Sequence, residues 1–257
     1  MLHLRVSGSP DQPPIVFLHA LATSGWMWGE QTSSLQDFHC IAPDLPGHGH
    51  SRTIPWRSLE DTADLIAEII RTTAGGKAHV VGLSLGSYVG LTLLSRHQDL
   101  VTTALLSGIN VLPLPNPSLM TAFAYVIAPL AKTSLGARLN ARALRIPETY
   151  IEEYRQSLRQ FSIRSFIAAN RDAITFTLPA NAATIATPTL IAAGEREHSL
   201  IKGSMATLEK TLPNSRTLQV KDTGHGWPAE RPDLFTATVR AWCTRREIVS
   251  ELTAPPA

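Results

Sequence analysis

Cysteine is scarce in this chain: Cys40 and Cys243 are its only two, and they lie far apart. No CxxC pair or Cys/His cluster accompanies them, so neither a zinc module nor a disulfide framework is indicated. They read as buried thiols of a protein in a reducing compartment. An excess of one charge sign is also missing. The 23 Lys and Arg face 21 Asp and Glu, a formal net charge of +2, and no basic stripe offers itself to nucleic acid. The hydrophobic content of 44% is too high for a disordered chain. Long apolar runs are absent: AFAYVIAPLA (122–131) is roughly half the length of a membrane span and contains Pro129. The opening MLHLRVSGSPDQPP lacks the basic start and apolar stretch of a signal peptide. There is no GxGxxG and no P-loop with its lysine, which removes the nucleotide-binding module. The expectation is a cytoplasmic globular protein, monomer or homodimer, with neither a nucleic-acid nor a membrane partner.

What is present is an alternation. PIVFLHA (14–20), HCIAPDL (39–45), AHVVGLS (78–84) and VTTALLSG (101–108) are short apolar runs that read as buried strands. Between them, SLEDTADLIAEIIRTTAGG (58–76) reads as a helix. Ser58 and Asp61 start it, Leu59, Ala63, Ile66 and Ile70 share one face, and Gly75-Gly76 stops it. Strands alternating with helices predict a mostly parallel sheet with helices on both faces. Residues 111–180 break the pattern with several helix candidates and no convincing strand. One candidate opens at Pro147-Glu148, as helix starts prefer. Strands resume with TPTLIAAGE (187–195) and RTLQVKD (216–222), and a helix over 232–251 closes the chain. The expected organisation is a core of residues 1–110 and 181–257 interrupted by a helical insertion, 111–180.

The most informative stretch is AHVVGLSLGSYVG (78–90), where Ser84 stands between Gly82 and Gly86 at a strand-to-helix junction. A chain reversing there strains the serine, and side chains two positions away on either side would collide with the neighbouring elements. Glycine removes both collisions. The result is an exposed hydroxyl at a helix N-terminus, where amides and dipole favour developing negative charge.

A serine hydroxyl needs a base. His225, between Gly224 and Gly226 on the loop before the last helix, is the candidate. The base in turn needs a carboxylate to hold its tautomer. GEREHS (194–199) offers Glu197, preferred here, and Glu195 as the alternative. His48 and His50 in PGHGHS suggest a metal only weakly, because no third ligand lies nearby in the sequence. No metal or cofactor is expected.

At this point the residues resemble the α/β-hydrolase superfamily along essentially the whole chain. GLSLG (82–86) is similar to its nucleophile elbow and FLHALATSGWMW (17–28) to its His-Gly oxyanion loop. APDLPGHGHS (42–51) is similar to its D-x-P-G-x-G-x-S turn. The order Ser84, Glu197, His225 matches the family's nucleophile–acid–histidine order. The resemblance implies an α/β-hydrolase fold with a helical cap between the strands ending near Gly108 and beginning near Thr187. It also implies oxyanion amides at Leu21 and Leu85. Two residues depart from the family pattern. Ala20 stands where glycine is usual after the loop histidine, a strained site if it needs positive φ. Glu197 stands where Asp is usual.

These residues together predict acyl transfer on a small, largely apolar ester or lactone through an acyl-enzyme. Trp26, Trp28 and Trp227 adjoin the catalytic loops and are expected as pocket walls, with Phe123 from the cap. Leu119, Met120, Tyr125, Phe161 and Phe166 have spacings that suit either a pocket lining or the cap's own core. Two other readings share the fold: a carbon–carbon bond hydrolase, against which Leu83 before the serine argues, and a slow-turnover ligand receptor.

Overall fold

The computed structural model describes residues 1–143, 146 and 148–249. Pro147 and the end of the expected last helix, 250–251, lie outside the described residues. Seven strands form one sheet: β1 (Leu4–Ser7), β2 (Pro14–Leu18), β3 (His39–Pro43), β4 (Ala78–Leu83), β5 (Val101–Ser107), β6 (Thr189–Gly194) and β7 (Ser215–Val220). Their order across the sheet is β1-β3-β2-β4-β5-β6-β7. Every pairing is parallel except β1 on β3. The edge strand β1 was not legible in the sequence. It is four residues long, half-exposed, and carries Arg5 in its middle, so no apolar run marks it.

The helices are α1 (Gly29–Ser34), α2 (Leu59–Thr73), α3 (Leu85–His97), α4 (Pro117–Ala131), α5 (Ser134–Ala143), α6 (Ile151–Gln160), α7 (Ile163–Ile174), α8 (Ser199–Thr211), α9 (Trp227–Glu230) and α10 (Pro232–Arg245). α2 begins as its sequence predicts: the Ser58 side chain accepts the Asp61 amide at 3.1 Å. It ends at Gly75 and Gly76, both at positive φ, with the Gly76 amide donating to Ile70 O at 3.0 Å. α10 stops earlier than expected, because Arg246 turns into the left-handed region at φ 58°.

Alternate residues of each strand feed two cores, one on each face of the sheet. Val16, Leu18, Ile41, Val80 and Leu106 pack with α2, α3 and α8. Ile15, Phe17, Cys40, Val81, Leu83 and Leu105 pack with Trp28, Trp227 and α10. Burial on both faces is why these strands read as continuous apolar runs. Cys40 and Cys243 are both free and buried. Burial above all pushes each thiol up to about 12. α4 to α7 lie between β5 and β6 and have a core of their own, made from Ala124, Ala128, Tyr154, Leu158 and Phe161 among others.

Parallel pairing brings the carboxyl ends of β2, β4, β5, β6 and β7 to one edge. Leu18 pairs with Gly82, Leu83 with Ser107, and Gly194 with Val220. The loops that follow these strands, with Leu21, Ser84, Glu197 and His225, therefore emerge side by side.

Phe235 of α10 joins the two deepest tryptophans, stacking on Trp28 at 5.5 Å and meeting Trp227 edge-on at 4.6 Å. Phe235→Ala is expected to cost about 3–5 kcal/mol. Urea unfolding should show a lower midpoint with an unchanged slope; an unchanged midpoint would contradict this packing.

Candidate active site

Ser84 closes β4 at φ 53° and ψ −115°, a strained conformation for a residue with a side chain. Its neighbours impose the turn. The Ser84 amide donates to Ser107 O at 2.9 Å, and Ser84 O accepts from the Ser87 amide at 2.8 Å. A Cβ on Gly86 would sit 2.0 Å from the carbonyl oxygen of Leu18, and one on Gly82 would sit 2.6 Å from that of Gly86. The elbow therefore closes only where two backbones nearly touch. Leu85 is the first residue of α3, and its amide has no partner within the helix.

His225 Nδ1 lies 2.8 Å from Glu197 Oε2. The Glu197 side chain is 1% exposed and that of His225 33%. Of the two acids in GEREHS, Glu195 faces elsewhere: its Oε2 accepts the Asp222 amide at 3.0 Å. Glu197 Oε1 is buried without a hydrogen-bond partner among the described residues, so the carboxylate's one polar contact is the imidazole. With Glu197 ionised, Nδ1 carries the hydrogen and Nε2 is left as acceptor.

Ser84 and His225 line the same cavity, of about 300 Å³. Leu21 lines it too. The left-handed residue of the loop is Ala22, at φ 63°, and not Ala20, so the expected strain lies two residues later. The loop is held from behind by two groups. Leu45 N donates to His19 Nε2 at 2.9 Å, while His19 Nδ1 lies 2.8 Å from Ala20 O. Asp44 accepts the Gly25 amide on Oδ1 and the His50 amide on Oδ2, each at 2.8 Å. Burial opposes the Asp44 charge, but these amides and the nearby histidines outweigh it and hold the carboxyl below its ordinary range. Burial also lowers His19, keeping it neutral.

Several expected pocket walls are elsewhere. Trp28 and Trp227 are fully buried in the core beneath the sheet, and Trp227 Nε1 donates to Ser107 Oγ at 2.7 Å. Each adjoins a site loop, but its side chain turns inward because the core there takes a large flat ring. Phe123 is 56% exposed and points away from the cavity, as do Leu119, Met120 and Tyr125. Phe161 is buried in the core of the helical insertion, and Phe166 reaches the cavity. Trp26 is the tryptophan that lines it, with Nε1 donating to Ser157 Oγ at 2.5 Å. His48 is buried and held near pKa about 3, by burial first and then by His19. His50 turns the other way, with Nδ1 3.4 Å from Asp44 Oδ2.

Polar wall residues escaped the sequence reading. Glu30, Asn140, Tyr150 and Tyr154 all face the cavity. Trp26, Glu30 and Tyr150 also border a separate groove of about 490 Å³, so they form the partition between the two. Tyr150 is raised by partial burial and by its hydrogen bond to Glu30. No motif marks these residues; they meet because the insertion folds back over the loop that follows β2.

The sequence model of the alpha/beta hydrolase family matches residues 15–238. Over 251 residues, the chain is 26% identical to an AB hydrolase superfamily protein of Gibberella zeae, covering 94% of this chain and 84% of that one. A shorter stretch of 93 residues is 30% identical to 3-oxoadipate enol-lactonase 1 of Acinetobacter baylyi, covering 36% of this chain and 35% of that one. Among solved structures, the enol-lactonase of Burkholderia xenovorans superposes with a TM-score of 0.79 at 22% identity, covering 95% of this chain and 96% of that one.

The buried histidines set a pH dependence. His48 is lowered from 6.5 to about 3, and His79 from 6.5 to about 4, chiefly by burial. Each binds its proton more readily when unfolded, so its stabilisation is complete above pH 6.5 and is lost as pH falls toward 3–4. Unfolding free energy should therefore fall from pH 7 to pH 5. A flat profile across that window would contradict the burial of neutral imidazoles.

Proposed function

Because the chain belongs to the alpha/beta hydrolase family, we propose that it is a serine hydrolase cleaving small, largely apolar carboxylic esters or lactones. One observation carries this reading: a single cavity joins the strained Ser84 to His225, whose far nitrogen is bound to the buried Glu197. His225 Nε2 takes the proton from Ser84 Oγ as the oxygen attacks the substrate carbonyl. The amides of Leu21 and Leu85 hold the oxyanion, with the N-terminal end of α3 behind the second. His225 returns the proton to the departing alcohol, and Glu197 balances the imidazolium while it exists. Water, deprotonated by His225, then attacks the acyl-enzyme. It releases the acid and restores Ser84.

The cavity's walls support this substrate class. Leu21, Ala22, Met27, Ile146 and Phe166 give an apolar surface, and about 300 Å³ suits a small acyl chain. The named lactonase activity of the Acinetobacter baylyi relative is compatible with that chemistry. Residues 111–180 act as the cap that roofs the site, on the core of residues 1–110 and 181–257. The mechanism uses side chains and backbone amides alone.

Turnover of p-nitrophenyl esters from acetate to octanoate tests the reading. Ser84→Ala should lose activity by about 10³-fold or more. Wild-type rates no higher than that variant's on every ester would overturn it and favour the carbon–carbon hydrolase or receptor readings. Glu197→Gln should lower kcat by about 10²-fold or more, whereas Glu195→Gln should stay near wild type. The reverse ranking would reassign the acid.

A further inference from the structure

The largest anomaly on the surface is the outer face of α4 and α5. Of the twelve large apolar side chains exposed among the described residues, nine lie on these two helices. Leu119, Phe123, Val126 and Leu130 recur at helical spacing, each between 55% and 59% exposed, and Leu135 and Leu139 extend the patch onto α5. The inward face of α4 carries the small residues Ala124, Ala128 and Ala131 instead. A helix folded only to fill a core places its large side chains inside. Here they face out, and a contiguous apolar patch of this kind marks an interaction surface.

The charge around the patch says what covers it. Neither α4 nor α5 carries an acidic residue, and Arg138 and Arg142 of α5 are exposed beside Leu135 and Leu139; Lys132 turns inward and donates to Phe161 O at 2.8 Å. A second copy docking through the same face would bring these arginines against themselves, since a two-fold interface matches a patch with its own image. An anionic lipid surface complements both features. Apolar side chains enter the acyl boundary while Arg138 and Arg142 meet the headgroups.

We infer that α4 and α5 dock this protein on an anionic phospholipid surface. No single helix among the described residues is long and apolar enough to cross a membrane, and lying in the interface requires no span. The shortness of the apolar run excludes a spanning helix and places no limit on a helix that lies flat in the interface. The patch also reaches the cavity: Ile127 is 52% exposed on it and lines the space shared by Ser84 and His225. A docked cap would thus hold the cavity roof against the lipid, so that an apolar ester enters from the membrane. This consequence rests on the hydrolase reading; docking itself does not.

Sedimentation with vesicles separates the two. The full-length protein should sediment with vesicles of phosphatidylcholine containing about one-third phosphatidylglycerol, and at least roughly tenfold less with phosphatidylcholine alone. Leu119→Ser with Phe123→Ser should weaken binding by roughly tenfold or more, while circular dichroism and turnover of a soluble ester stay unchanged. Binding equal in wild type and double variant would overturn the inference, as would sedimentation with neither vesicle. So would a stable dimer in solution that the double variant dissociates, which assigns the face to a second copy. Because binding is read without turnover, a failure of the hydrolase reading leaves this result interpretable.

Discussion

The backbone contact between Gly86 and the end of β2 is the constraint on which the site depends. The carbonyl of Leu18 occupies the place a Cβ would take on Gly86. That approach lets α3 start directly against the sheet and forces Ser84 to φ 53°. Relaxing it by one methyl group would move the serine, the amide of Leu85 and the first turn of α3 together. The strain at Ser84 persists because β2, β4 and β5 are buried and paired on both sides.

A second set of contacts places the opposite wall. His19 and Asp44 are buried polar groups that make no contact with the cavity, yet they tie the loop after β2 to the loop after β3 through four backbone groups. Both are kept in the form their contacts need: His19 neutral by burial, and Asp44 held ionised against burial by the Gly25 and His50 amides it accepts. Leu21 and Trp26 reach the cavity on a braced loop.

The helical insertion serves two environments. Its inner residues, Tyr154 and Phe166, roof the cavity, and Trp26 hydrogen-bonds across to Ser157. Its outer face is apolar on α4 and α5. The same apolar spacing that first suggests pocket walls at Phe123, Leu119 and Met120 thus belongs to a surface facing the other way. Periodicity reports that a helix has an apolar face; it carries no information on which neighbour that face meets.

The sequence by itself determined the elements whose physics is local. The β4 run, the glycines around Ser84, the Ser58 cap and the Gly75-Gly76 stop each follow from sterics or hydrogen bonding within a few residues. The strand–helix alternation then leaves few topologies. It also put Ser84, His225 and an acid of GEREHS on loops at one sheet edge. Only tertiary structure decided between Glu197 and Glu195, because the two differ by one turn of a loop and the distinction is which carboxylate meets His225. Only tertiary structure turned Trp28 and Trp227 inward and brought Glu30 and Tyr150 to the cavity. It alone paired β1, whose four residues have no pattern apart from their partner β3. Those outcomes depend on contacts between segments far apart in the chain, and such contacts leave no trace in local spacing.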